Sequence, residues 1–307
     1  MVRTLIAGLL AMLLIGCSKK SEPSEQEPAR FAELRAEYDA RLAAVDWLDG
    51  WPDRTDCDGL LWAGLATAGG VPVRLDLAEY APGEMHRRPP PSCFVDGEDR
   101  GSKSTISQDM LTGYLWGLWR TRDLDAASRL ADFGEDNLWV MGEGLKTRTV
   151  LRTNLQGILG RMIYMMSRGT DDRLYRRWFT AYGPVSEDYE QHIQAQGIIL
   201  NAEIDQYLRV NNLDANKADP DNPDANGLLD ITRGNLERLR ALTEASPNDA
   251  LFHAGLGIYT GDMNRAIEIL LDDTIPPPTY VRGKNPAEYA TAYWLFTANL
   301  ALRRAPR

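Results

Sequence analysis

The stretch from Ser104 to Gly144, STISQDMLTGYLWGLWRTRDLDAASRLADFGEDNLWVMGEG, decides the fold. Met110, Leu111, Tyr114, Leu115, Trp116, Leu118 and Trp119 leave no polar face, so a helix beginning after Ser107 is buried on all sides. Its apolar run, about ten residues before Arg120 and Arg122, is too short to span a bilayer. Gly113 and Gly117, four apart, let a neighbouring helix approach closely. Asp123 then caps a second, shorter helix through Phe133, with Gly134 at its end. A fully buried helix joined by a tight turn to an amphipathic one is an αα-hairpin with an inner and an outer member.

The pattern repeats outward in both directions. Phe31, Leu34, Tyr38, Leu42, Val45 and Leu48 recur at helical spacing before Gly50-Trp51-Pro52, and Asp58 to Ala68 forms a shorter helix closed by Gly69-Gly70. Downstream, helices are expected over 150–167, 171–182, 186–210, 228–245, 250–260 and 262–271. The run Asn285-Pro286-Ala287-Glu288 starts a last helix to about Arg303, with Asn as N-cap, Pro at N1 and Glu at N3. Nothing reads as a well-patterned strand. Between Val71 and Lys103 the periodicity breaks in a Pro-rich loop, which its apolar residues mark as ordered. Thr121-Arg122-Asp123 and Thr260-Gly261-Asp262 echo each other at two hairpin turns, each Asp expected to cap the following helix.

About eleven helices paired by short turns imply an all-α fold of two helical layers. Over residues 30–307, read as one domain, the array resembles the (α/α)-toroid of six-hairpin glycosidases and polysaccharide lyases. The resemblance implies a central cavity lined by the N-termini of inner helices, and carbohydrate chemistry within it. Asn222 to Arg233 resembles an EF-hand loop, but Arg233 stands where a bidentate acid is needed, so the loop reads as a polar cap to the next helix and no metal or other cofactor is expected.

The N-terminus carries an address. Arg3 precedes an apolar run from Thr4 to Ile15 that ends in Leu14-Ile15-Gly16-Cys17. This resembles the lipobox of bacterial lipoproteins, with residues 1–16 as signal peptide. The resemblance implies lipidation of Cys17, anchoring the protein to a membrane through several acyl chains. Ser18, not Asp, follows Cys17, which implies the outer membrane, facing the periplasm. Residues 17–29, polar with two prolines, read as a flexible tether. In that compartment the remaining pair, Cys57 and Cys93, is expected to be either a disulfide or two buried thiols. The chain is 307 residues long with a net charge of −10, which argues against nucleic acid as a partner.

Candidate site residues follow from position. Asp109, in the first turn of the buried helix, is either a capping acid or, at the mouth of a central cavity, a general base or a ligand for a sugar hydroxyl. Glu143, between Gly142 and Gly144, is either a solvated loop acid or the second carboxylate that glycoside hydrolysis requires. His86, in the basic turn before Pro89, could pair with Arg148 or Tyr114 in a lyase-like site, the cation neutralising a uronate. Trp116 and Trp139 are candidate sugar platforms, with core packing as the alternative. Two functions remain open: a glycoside hydrolase or polysaccharide lyase acting on an envelope or imported glycan, and a binding or assembly lipoprotein without chemistry.

Overall fold

A computed structural model of the chain describes residues 26–93, 104–144, 147–180, 182, 188–213, 217–224, 227–282 and 287–303. Cys17, the signal segment and most of the tether lie outside the described residues. Eleven α-helices occur among those described: α1 (Gln26–Ala43), α2 (Gly59–Ala68), α3 (Gln108–Thr121), α4 (Leu124–Asp136), α5 (Thr153–Met166), α6 (Asp188–Val210), α7 (Gly227–Ala245), α8 (Ala250–Thr260), α9 (Asn264–Leu271), the four-residue α10 (Thr279–Arg282) and α11 (Ala287–Leu302). The chain is therefore all-α in class. Two short antiparallel hairpins interrupt it, β1 (Glu79–Ala81) with β2 (Glu84–Met85) and β3 (Val140–Glu143) with β4 (Arg148–Val150). None of the helices is long and apolar enough to cross a membrane.

The buried helix expected from the sequence is α3, and its partner is α2. A methyl group placed on Gly64 would lie 1.9 Å from the Gly113 carbonyl oxygen, and one on Gly113 would lie 2.5 Å from that of Leu61. Backbone therefore packs on backbone, and α2 is buried along its whole length. The contacts run in step along the two chains, so the helices are parallel. The same holds for α2 and α11: Trp62 stacks on Tyr289, and Gly69 meets Leu295 and Phe296. In α6 and α8, His192 meets Asp249 and Ile199 meets Gly255. Neighbour packing forms a cycle, in which α2 touches α3, α3 touches α5 and α6, α6 touches α8, α8 touches α11, and α11 returns to α2. Helices α1, α4, α7 and α9 each pack against members of this cycle.

Several expectations are corrected. Helix α1 begins at Gln26, inside the segment read as tether, and stops at Ala43. The helix expected over 171–182 does not form. Asp171 accepts hydrogen bonds from the backbone and guanidinium of Arg173, and Leu174 takes a left-handed conformation (φ 61°), leaving one 3-10 turn at Tyr175–Arg177. Those local bonds compete with a helical ladder. The hairpin-turn echo holds only in part. Asp123 caps α4 through the amide of Ala126, but α9 starts at Asn264, with Met263 in place of Asp262 as N-cap and Asp262 accepting from the amide of Asn264.

Of the Pro-rich segment, residues 71–93 are described, and Cys57 and Cys93 form a disulfide with their Cα atoms 5.8 Å apart. The Arg129 guanidinium donates twice to Glu79, at 2.8 Å each, fastening the β1–β2 hairpin to α4. The turn of that hairpin needs Gly83 (φ 76°), since a methyl there would meet the Arg129 carbonyl at 2.1 Å.

Candidate functional site

The first turns of α3, α5 and α6 converge on a cleft of about 1010 Å³. Its floor and walls carry Asp109 and Thr112 from α3, Gln156 from α5 and Gln194 from α6. Arg148 and Val150 of β4, with Arg152 beyond it, line it on one stretch; Leu151, Leu155 and Ile193 add an apolar part, and Glu190 of α6 with Thr180 and Tyr182 lines it as well. The local sequence explains this placement. Gln156 and Gln194 lie near the starts of their helices and are nearly inaccessible, so their amides are held at the cleft by the helices that carry them. Gln156 donates to the Leu151 carbonyl at 2.6 Å, and Arg238 donates to the Gln194 carbonyl oxygen at 2.8 Å. The Oε1 atom of Gln156 is buried without a hydrogen-bond partner.

Asp109 is the chemically distinctive group. It is 7% exposed, accepts a hydrogen bond from the Ser107 hydroxyl, and its carboxyl is held above the ordinary range. Burial is the main cause, and the nearby Asp58 adds to it; the Ser107 bond and the Arg87 guanidinium oppose it. The helix N-terminus also favours the ionised form, by about 0.3–1 kcal/mol. Burial nonetheless wins. Behind Asp109, Arg87 is itself buried and meets Asp58 at 3.4 Å while donating to the carbonyls of Ser104 (2.8 Å) and Cys57 (3.3 Å). Two acids thus share one arginine, a balance that leaves one carboxyl easier to protonate than a solvated aspartate.

The second acid at the cleft is Glu190. It is 44% exposed and lies 3.8 Å from Arg152, a solvated setting unlike that of Asp109. Two carboxyls in contrasting environments are the arrangement that separates a proton donor from an ionised partner.

The structure brings only two of the sequence-predicted residues to this cleft, Asp109 and Arg148. Glu143 is not among the lining residues; it is exposed and paired with Arg148 at 3.0 Å. Its flanking glycine answers to packing, because a methyl on Gly142 would meet Ile106 and Thr105 at 2.7 Å. Trp116 is buried, its indole donating to the Gln196 carbonyl at 3.1 Å and its ring set against Phe296. Tyr114 is buried in α3, which raises its hydroxyl above the ordinary range. Trp139 lies over Gly134 behind α4. His86 stacks face to face on Tyr80, centroids 3.7 Å apart, and reaches Glu84 at 3.1 Å. These four and Glu143 form no common site with Asp109, because the expected meeting of 109 and 143 depended on loop geometry that spacing does not encode.

Sequence reasoning missed Glu190, Arg152, Gln156, Gln194 and the Asp58–Arg87 pair. A signal existed for Gln156, between Leu155 and the apolar run from Gly157, since an amide buried there needs a partner or a ligand. Among the described residues no cluster of three or more His, Cys, Asp or Glu side chains could hold a metal ion. Compared with known proteins, the chain matches no family model, no curated protein and no solved structure.

Proposed function

We propose that this is a lipid-anchored envelope protein, held at the outer membrane through Cys17, whose cleft binds a glycan and hydrolyses it. The single observation that carries the reading is a buried, easily protonated Asp109 in a cleft whose lining combines amides, hydroxyls and charges with the apolar side chains of Val150, Leu151, Leu155 and Ile193. Amide and hydroxyl groups match sugar hydroxyls, which both donate and accept. Asp109 gives its proton to the glycosidic oxygen as the bond to the anomeric carbon breaks, and Glu190 takes a proton from the water that attacks that carbon. The cycle α2, α3, α5, α6, α8, α11, with the starts of α3, α5 and α6 at the cleft, supports an (α/α)-toroid in which two outer positions are taken by segments without an α-helix, residues 71–93 and the turn at Tyr175.

The test is a glycan panel assayed with wild type, Asp109→Asn, Glu190→Gln and Glu143→Gln. The first two should lose turnover by about 10²-fold or more, and Glu143→Gln should stay near wild type. Turnover retained in Asp109→Asn would remove the assignment. Asp109→Asn should also melt higher than wild type at pH 7, because a carboxyl with a raised folded pKa destabilises the fold progressively as pH rises above its unfolded value. That control separates lost chemistry from lost structure.

A second reading, a binding or assembly lipoprotein without chemistry, is favoured by one observation: neither Trp116 nor Trp139 lines the cleft as a sugar platform. It predicts ligand retention by wild type with no product. The anchor is tested separately, by labelled palmitate incorporation that Cys17→Ser abolishes.

A further inference from the structure

We propose that Tyr164, Tyr175 and Trp178 form a binding site for a quaternary ammonium group of the choline or betaine type, filled in this structure by the chain's own Lys217. The Lys217 ammonium lies 4.5 Å from the ring centre of Tyr164, 5.0 Å from that of Tyr175 and 5.2 Å from that of Trp178. Three aromatic faces around one cation is the geometry by which proteins recognise methylated ammonium groups. A surface lysine needs none of it.

The walls are built without their occupant. Tyr164 belongs to α5, and Tyr175 and Trp178 to the adjoining 3-10 turn. Trp178 is 2% exposed and braced by both tyrosines, Tyr164 at 4.9 Å between ring centres and Tyr175 at 5.0 Å and nearly perpendicular. The turn is seated on α5 by two glycines. A methyl on Gly157 would meet the Arg177 carbonyl oxygen at 2.2 Å, and one on Gly160 would meet the Trp178 indole nitrogen at 2.7 Å. The plug comes from a different segment, fastened beside the cage by the Tyr175 hydroxyl donating to the Ala218 carbonyl at 2.6 Å.

The occupant fits the cage less well than a methylated cation would. A primary ammonium is strongly hydrated and carries three N–H donors, which ring faces satisfy only weakly. Among the described residues no carboxylate forms an ion pair with Lys217 to complete its shell. A trimethylammonium group has no donor to satisfy, and its methyl groups pack directly on the rings. What favours Lys217 is tethering, which holds it at an effective concentration in the millimolar range. This site is separate from the cleft and does not rest on the saccharide reading. Thr180 and Tyr182, which line the cleft, follow the cage in sequence.

The experiment titrates choline chloride into the purified full chain by calorimetry, with sodium chloride at equal ionic strength as control. Lys217→Ala and Lys217→Gln should bind choline at least about tenfold more tightly than wild type, the second variant guarding against a fold effect of the first. Adding Tyr175→Leu to either should remove the gain. Flotation with phosphatidylcholine or phosphatidylglycerol vesicles separates the ligand's sources. Selective capture of the Lys217 variants by phosphatidylcholine identifies a lipid headgroup, and binding of free choline alone identifies a small molecule; either supports the site. Choline affinity in both folded Lys217 variants no greater than in wild type overturns it, as does a gain that survives Tyr175→Leu.

Discussion

Burial pushes the His192 imidazole down to about 3, and its surroundings show how a neutral histidine is kept in the core. Its Nε2 lies 3.3 Å from an Asp249 oxygen, and its ring lies against Tyr280, centres 3.6 Å apart. Asp249 also caps α8 through the amide of Leu251 at 2.9 Å and accepts from the Tyr293 hydroxyl at 3.0 Å. The carboxylate is thus already shared among several donors, and the imidazole stays neutral. In the unfolded chain the same side chain takes up a proton near pH 6.5, while the folded one does so only near 3. Stability from this group is therefore complete above pH 6.5 and declines as pH falls towards 3, by on the order of 2 kcal/mol at pH 5. Urea unfolding of wild type and His192→Gln over pH 4–7.5 measures it. The variant should be less stable at neutral pH but show a flatter decline, and parallel curves would assign the acid sensitivity to other groups.

At the scale of elements, the contact between α2 and α3 sets how closely the helices of the cycle can sit. Gly113→Ala forces a methyl into the backbone of Leu61, where no side chain can move aside. The loss should be about 1–3 kcal/mol, the usual cost of overpacking, visible as a lowered melting temperature. Gly234→Ala, facing open space in α7, should instead be neutral or mildly stabilising in the same assay. This contact was legible in the sequence, because an all-round apolar helix with glycines four apart has few alternatives to close packing. The helices with strong caps and apolar stripes were legible for the same reason. The β-hairpins and the turn at Tyr175 were not. Each is held by long-range contacts, Glu79 to Arg129 or Trp178 against Tyr164, that no local pattern announces. The site divides the same way. Asp109 could be found from its position in a helix's first turn, whereas Glu190 enters only because the starts of α3, α5 and α6 meet, which is tertiary information.

At the scale of the whole molecule, α1 and α11, the first and last described helices, are joined to each other and to α2. Tyr38 of α1 does this with one hydroxyl, donating to the Gly69 carbonyl at 2.6 Å and accepting from the Asn299 amide of α11 at 2.9 Å. The Arg41 guanidinium stacks over Trp294 at 4.2 Å, and the Trp294 indole donates to Leu270 of α9 at 3.2 Å, extending the same seam. Both groups bonded to Tyr38 are buried, so deleting the hydroxyl strands a donor and an acceptor at once. Tyr38→Phe should therefore cost about 2–3 kcal/mol, more than a single exposed hydrogen bond. If α1 and α11 close the array as one cooperative unit, the variant should keep a single unfolding transition with a lower midpoint. Hydrogen exchange should then rise together in α1, α2 and α11, the three helices that the hydroxyl joins. Faster exchange in α1 alone would mean that the N-terminal helix is an appendage, with the cycle closed by the contact of α11 with α2.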